Sequence, residues 1–293
     1  MKRFVATWRI VLAIVITFLI FGVIAGGLQA FGKFDDMLTN YVWMQSMFAL
    51  VGALNTFALL VLYQRVNRKN PIQLGFLLNR KHMVFSLFCV IITLFTVVGF
   101  VIILDLQNKV SITFEWETFL TANFIKFLFI GMVGWFLAAL KEEVLARGYF
   151  MANLNSFGFW KMLFISSFLF MAMHFVTNGF DVMKAGSWFL GGIVYGYIYL
   201  KSGSLIVSTI VHAAHNQLND LVIHGSEAAF IWLDATVSLS DKLAYEFVLS
   251  ALLILLTNVM YGKNGWVTPA ENLQTLWQSE VRETRSDTTT VVL

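Results

Sequence analysis

Residues 141–147 read Lys-Glu-Glu-Val-Leu-Ala-Arg, so the adjacent carboxylates Glu142 and Glu143 precede Arg147 in a stretch otherwise apolar enough to lie in lipid. A charge at the middle of a bilayer costs roughly 2.5 to 3.5 kcal/mol on insertion scales, so ionisable groups there mark functional sites. Two further islands carry complementary chemistry: Phe170-Met-Ala-Met-His174 and His212-Ala-Ala-His215-Asn216. A carboxylate beside a histidine can hold a water and remove its proton. A second histidine and an asparagine can donate to a tetrahedral oxyanion, one such donor contributing about 2.7 to 4 kcal/mol in a known case. Together the groups suit hydrolysis of an amide. The same Glu142, His174 and His212 are also donors of the kind that hold zinc and make its bound water nucleophilic. Residue types leave both routes open.

The elements that must position these groups follow from composition. The 293-residue chain is 58% hydrophobic and 13% charged, with a mean hydropathy of +0.75, where a soluble domain carries about 25% charged residues. Two prolines and twenty glycines favour long helices over the alternating, turn-rich strands of a membrane barrel. The expected fold is therefore all-α: a polytopic membrane bundle of about eight transmembrane helices. The single Cys89 can form no internal disulfide and belongs to no metal-type spacing. No basic stripe interleaved with aromatics supports a nucleic-acid partner; the partners expected are membrane lipid and a membrane-bound protein or peptide.

Apolar runs place spans at about 10–31, 41–63, 83–104, 119–140, 159–176, 188–200, 205–223 and 247–261, each judged against the length needed to cross hydrocarbon. The region 1–118 reads as an N-terminal three-span unit and 119–224 as the core. The last span and its preceding loop occupy 225–262, and 263–293 forms a polar tail expected to be mobile. Arg65, Arg68, Lys69, Arg80 and Lys81 sit in one loop, which the positive-inside rule puts in the cytoplasm together with both termini. Compactness and the lack of a targeting segment point to a bacterial cytoplasmic membrane. Tryptophans at span ends, Trp8, Trp160 and Trp188, read as interface anchors, and Asp181 and Asp220 as loop or cavity-rim charges.

Helical character runs past Leu140 to the turn residues Asn155 to Gly158, too far for one simple span, so this helix must tilt, protrude or break. With 155–158 as a hairpin tip, Glu142 and His174 both lie roughly 20 to 25 Å away at 1.5 Å per residue, at one level. His212 lies roughly 13 Å along its own span, a looser match. Glu143 and Arg147 are i,i+4 neighbours able to neutralise each other, while Glu142 points about 100° away and is free to face a cavity. His212 and Asn216 share a face, and His215 points elsewhere, in register with Asn219.

These islands, in this order on successive apolar helices, resemble the CPBP family of intramembrane proteases, also called the type 2 CAAX prenyl endopeptidase or abortive-infection family. Its motifs EExxxR, FxxxH and HxxxN are complete here as Glu142-Glu143-xxx-Arg147, Phe170-xxx-His174 and His212-xxx-Asn216, within roughly residues 119–224. The resemblance implies an intramembrane endopeptidase with Glu142 as general base and His174 on the water. It assigns His212 and Asn216 to the oxyanion and makes Glu143 with Arg147 the supporting pair. It leaves two cofactor states: none under a glutamate mechanism, Zn2+ held by Glu142, His174 and His212 under a metalloprotease one. Family members cleave near the C-terminus of prenylated proteins or serve peptide export, bacteriocin immunity and surface-protein regulation. The alternative expectation is a non-proteolytic scaffold or immunity protein on the same fold.

Overall fold

The computed structural model describes residues 2–114, 116–117, 121–223, 229 and 231–275. The expected start of the fourth span at residue 119 and the tail beyond residue 275 lie outside this range. The chain forms α1 (Lys2–Ala30), a short α2 (Phe34–Thr39), α3 (Tyr41–Val66) and α4 (Arg80–Leu106). A strand β1 (Ile112–Phe114) precedes α5 (Ala122–Glu143), which continues through a π-helical stretch Val144–Phe150 into α6 (Met151–Leu154). Then follow α7 (Phe159–Asn178), α8 (Val182–Ser202), α9 (Leu205–Val222), β2 (Ile231–Leu233) and α10 (Leu239–Tyr261).

The protein is thus a polytopic helical bundle and an integral membrane protein. All eight expected spans are helical, and six helical segments are long and apolar enough to cross a membrane. The sixth and seventh expected spans, α8 and α9, are not among those six, because they carry the polar and charged groups that the others surround. One departure from an all-helical chain is the antiparallel pair of β1 and β2, with Thr113 opposite Trp232. Three-residue strands show no usable period, so the sequence does not announce them.

Polar side chains set the helix starts. Asn40, Asn79, Thr121, Asp181, Ser204 and Ser238 each accept a hydrogen bond from a backbone N–H in the first turn that follows, satisfying donors that lipid cannot. Asp181 is therefore a helix cap, and Asp220 is buried and accepts from Trp135 Nε1 at 3.3 Å.

Small residues bring the helices close, as packing without a hydrophobic gradient requires. α3 and α5 run in the same direction, with Gly131 against Tyr41, Gly134 against Gln45, and Gly52 directly on the Leu137–Ala138 backbone. α8 and α10 also run in one direction, since Gly186 meets Leu243 and the Tyr197 hydroxyl donates to Asn258 3.4 Å away. The 3 residues 201–203 turn sharply through Gly203 at φ +70, and Gly203 approaches Gly75 so closely that a Cβ on Gly75 would sit 2.6 Å from its carbonyl oxygen.

The first part of the tail is ordered against this end of the bundle. Lys201 Nζ donates to the Gly265 and Thr268 carbonyls at 2.5 and 3.0 Å, Asn272 donates to Gly203, and Leu273 is buried. A polar segment thus docks by accepting from the Lys201 ammonium and by donating to the Gly203 carbonyl at the helix end, which composition alone does not reveal.

Candidate active site

The long fourth span neither breaks nor stays regular. Residues 144–150 wind with the wider π pitch, and every one of them is buried. Such insertions are frequent at functional sites. Glu143 and Arg147 flank this change, with Arg147 Nη1 3.1 Å from Glu143 Oε1 and side chains 1% and 0% exposed.

Arg147 crosses to α8, where Nη2 donates to the carbonyls of Gly191 and Gly192 at 3.2 and 3.0 Å. Its guanidinium lies over the Phe170 ring, 4.6 Å from the centroid. One side chain therefore joins α5, α7 and α8.

The three islands converge. Glu142 Oε2 lies 3.9 Å from His174 Nε2 and 3.8 Å from His212 Nε2, and the Glu142 side chain is 24% exposed. Lys141 Nζ lies 3.3 Å from its other oxygen. His174 Nδ1 donates to the Phe170 carbonyl at 2.8 Å, so its Nε2 carries the lone pair towards Glu142 when the ring is neutral. His212 Nδ1 donates to Glu143 Oε1 at 2.9 Å, with the same consequence for its Nε2. Glu143 also accepts from Ser208 Oγ. Asn216 lines the cavity that contains Glu142, His174 and His212.

Several participants were not legible in the motifs. Trp188, expected as an interface anchor, stacks on His174 with centroids 4.9 Å apart. Tyr195 stacks on His212 at 4.4 Å, and its hydroxyl shares a 2.8 Å hydrogen bond with His215 Nδ1. His215 Nε2 lies 3.0 Å from Glu246 Oε1. The signal for these was present only as aromatic and acidic residues on α8 and α10; nothing in their spacing tied them to the histidines.

Two cavities meet at Glu142. The first, about 470 Å³, is the polar one and reaches from Glu142 past Trp188 to Lys184 and Lys242. The second, about 510 Å³, is walled by Phe and Met side chains of α1, α2 and α3, including Phe21, Met37 and Met47. Glu142, Phe170 and His174 border both.

The donor types of Glu142, His174 and His212 suit zinc, but their placement does not. Ligand atoms about 2.0 to 2.1 Å from a tetrahedral zinc lie about 3.3 Å apart, whereas both nitrogen-to-oxygen separations here are longer, at 3.8 and 3.9 Å. Among the described residues no group of three or more His, Cys, Asp and Glu side chains is set to hold a metal ion.

Comparison with known proteins adds a family. Residues 124–218 match the model of the type II CAAX prenyl endopeptidase Rce1-like family. No curated protein and no solved structure matches the chain. The matched segment contains the three motif islands, from α5 to α9. Motifs and family model thus point to the same stretch, residues 124–218, as similar to the Rce1-like type II CAAX prenyl endopeptidase family.

Proposed function

We propose that the protein is an intramembrane endopeptidase in which Glu142 activates a water against a peptide bond of a membrane-associated substrate. The observation that carries this reading is the meeting of Glu142 Oε2 with the Nε2 atoms of His174 and His212 at 3.9 and 3.8 Å, at the junction of a polar and an apolar cavity. The substrate's apolar part lies among the Phe and Met side chains of the second cavity, and the polypeptide runs through the first.

A water seated between Glu142 and His174 gives one proton to the Glu142 carboxylate and points the other at the His174 lone pair. Its oxygen then attacks the scissile carbonyl. The oxyanion is received by the Asn216 amide and by His212 Nε2. That nitrogen can donate only when the ring is protonated, because Nδ1–H is already committed to Glu143. Glu143 stabilises this imidazolium from behind, and Arg147 holds Glu143 in place. Collapse of the intermediate expels the amine, which takes the proton stored on Glu142. The polarising donors sit in a water-poor site, where each contributes more than it would in bulk solvent.

Peptide termini from membranes containing the wild-type protein, compared with those from membranes containing Glu142→Ala at equal abundance, test the proposal. Termini present only with wild type identify substrate and scissile bond. Identical sets, with the biological phenotype intact in the alanine form, would sink it in favour of a scaffold.

A further inference from the structure

The two ends of the bundle differ in charge, and the outer lining of the polar cavity comes from residues at one of them. Arg65, Arg68, Lys69, Arg80 and Lys81 lie at the C-terminal end of α3 and the N-terminal end of α4. Lys81 stands over the Tyr261 ring at 4.5 Å, which puts the end of α10 there too. The opposite end carries Asp35, Asp36, Asp105, Glu117, Asp234 and Asp241, with Lys109 paired to Asp241 at 2.7 Å. The mouth of the cavity belongs to this acidic end: Met183 and Lys184 begin α8, Leu239 and Lys242 begin α10, and Ile223 follows α9.

Short basic loops stay in the cytoplasm, so the mouth lies on the other side. Within the acidic end, Lys33 and Lys109 are paired with Asp36 and Asp241, whereas Lys184 and Lys242 face the cavity. They lie close enough to repel one another, both line the cavity, and the carboxylates nearest along their helices are engaged elsewhere, Asp181 as a helix cap, Asp241 on Lys109 and Glu246 on His215. Two convergent ammonium groups at the mouth favour a carboxylate entering there.

We propose that the catalytic cavity opens on the membrane face away from the cytoplasm, and that it acts on extracytoplasmic segments of membrane-bound polypeptides whose acidic groups are drawn in by Lys184 and Lys242. This deepens the hydrolase reading above and, for its substrate side, rests on it. A cytosolic lipidated C-terminus could not reach Glu142 by this route.

Sidedness is read without any activity. Met183→Cys at the mouth and Ile72→Cys in the basic loop are both exposed positions, while the native Cys89 is fully buried. A membrane-impermeant maleimide applied to intact spheroplasts should label the first at once and the second only after lysis; the reverse pattern overturns the proposal. The termini generated by the wild type, and absent with Glu142→Ala, should map to extracytoplasmic segments with Asp, Glu or a free carboxylate close to the cut. Termini on cytoplasmic segments overturn it as well. In Lys184→Gln/Lys242→Gln protein those products should fall several-fold, and an unchanged yield would remove the lysines from it. Absence of all wild-type-specific termini, with labelling as expected, overturns the hydrolase reading and leaves the opening established.

Discussion

His212 Nδ1 lies 2.9 Å from Glu143 Oε1, so the second glutamate of the pair orients the imidazole that the first one faces. The sequence offered Glu143 only a salt bridge with Arg147. In the structure its two oxygens meet Arg147, His212 and Ser208, and the carboxylate is fully buried. Replacement by Gln keeps the shape but offers one acceptor where three donors converge. Glu143→Gln should lower kcat by roughly 10²- to 10⁴-fold, the range of a lost acid–base contribution, with KM little changed. Equal falls in kcat/KM caused by KM alone would refute this role.

Glu142 is partly exposed to the cavity and makes no contact on which a helix junction depends. Glu142→Gln should therefore abolish turnover by a similar factor, roughly 10²- to 10⁴-fold, yet leave the thermal midpoint in detergent where it was. A variant that loses both would mean that Glu142 is structural.

Arg147 behaves in the opposite way. Removing one partner of a buried ion pair costs about 3 to 5 kcal/mol, and Arg147 also serves two carbonyls of α8. Arg147→Ala should fall to low abundance and unfold at a clearly lower temperature. Arg147→Lys should recover little, because an ammonium cannot span the carboxylate and both carbonyls. Near-normal melting of either variant would contradict this.

The packing of α7 against α8 has its own test. A Cβ on Gly192 would lie 2.8 Å from Ser167 Cβ and 2.9 Å from Ser167 Cα, so Gly192→Ala must push apart the helix that receives Arg147. The expected loss is about 1 to 3 kcal/mol. Gly99→Ala, where nothing lies within 4 Å, should be neutral or slightly stabilising in the same melt.

The spacing of Glu142, His174 and His212 also predicts behaviour towards chelators. Exhaustive dialysis against a strong chelator should leave the rate of peptide cleavage within about twofold. Loss of cleavage that zinc alone restores would show that these three groups close around a metal in use.

Much of the molecule was legible in one dimension. Apolar runs located the eight long helices, although α1, α8 and α10 begin six to eight residues before their expected starts, because each run must match hydrocarbon thickness and its breaks must carry polar caps such as Asn79 and Ser204. The three islands were legible because charge is scarce in such a chain, so Glu142, His174 and His212 stand out against it. Within one helix, spacing also settled geometry: Glu143 and Arg147, four residues apart, do pair.

What spacing could not supply was the register between helices. That is set by which surfaces fit at close range: Gly192 on Ser167, Gly52 on Leu137, Gly131 beneath Tyr41. Those fits turned Glu143 towards His212, laid Trp188 and Tyr195 on the two histidines, and brought Glu246 of α10 to His215. They also fixed the end at which the cavity opens. The sequence by itself determined a membrane bundle with a scarce, ordered set of reactive groups, because hydrophobic length and the cost of buried charge act along the chain. Only the tertiary structure decided which of those groups touch, because contacts between helices depend on shapes that no periodicity records.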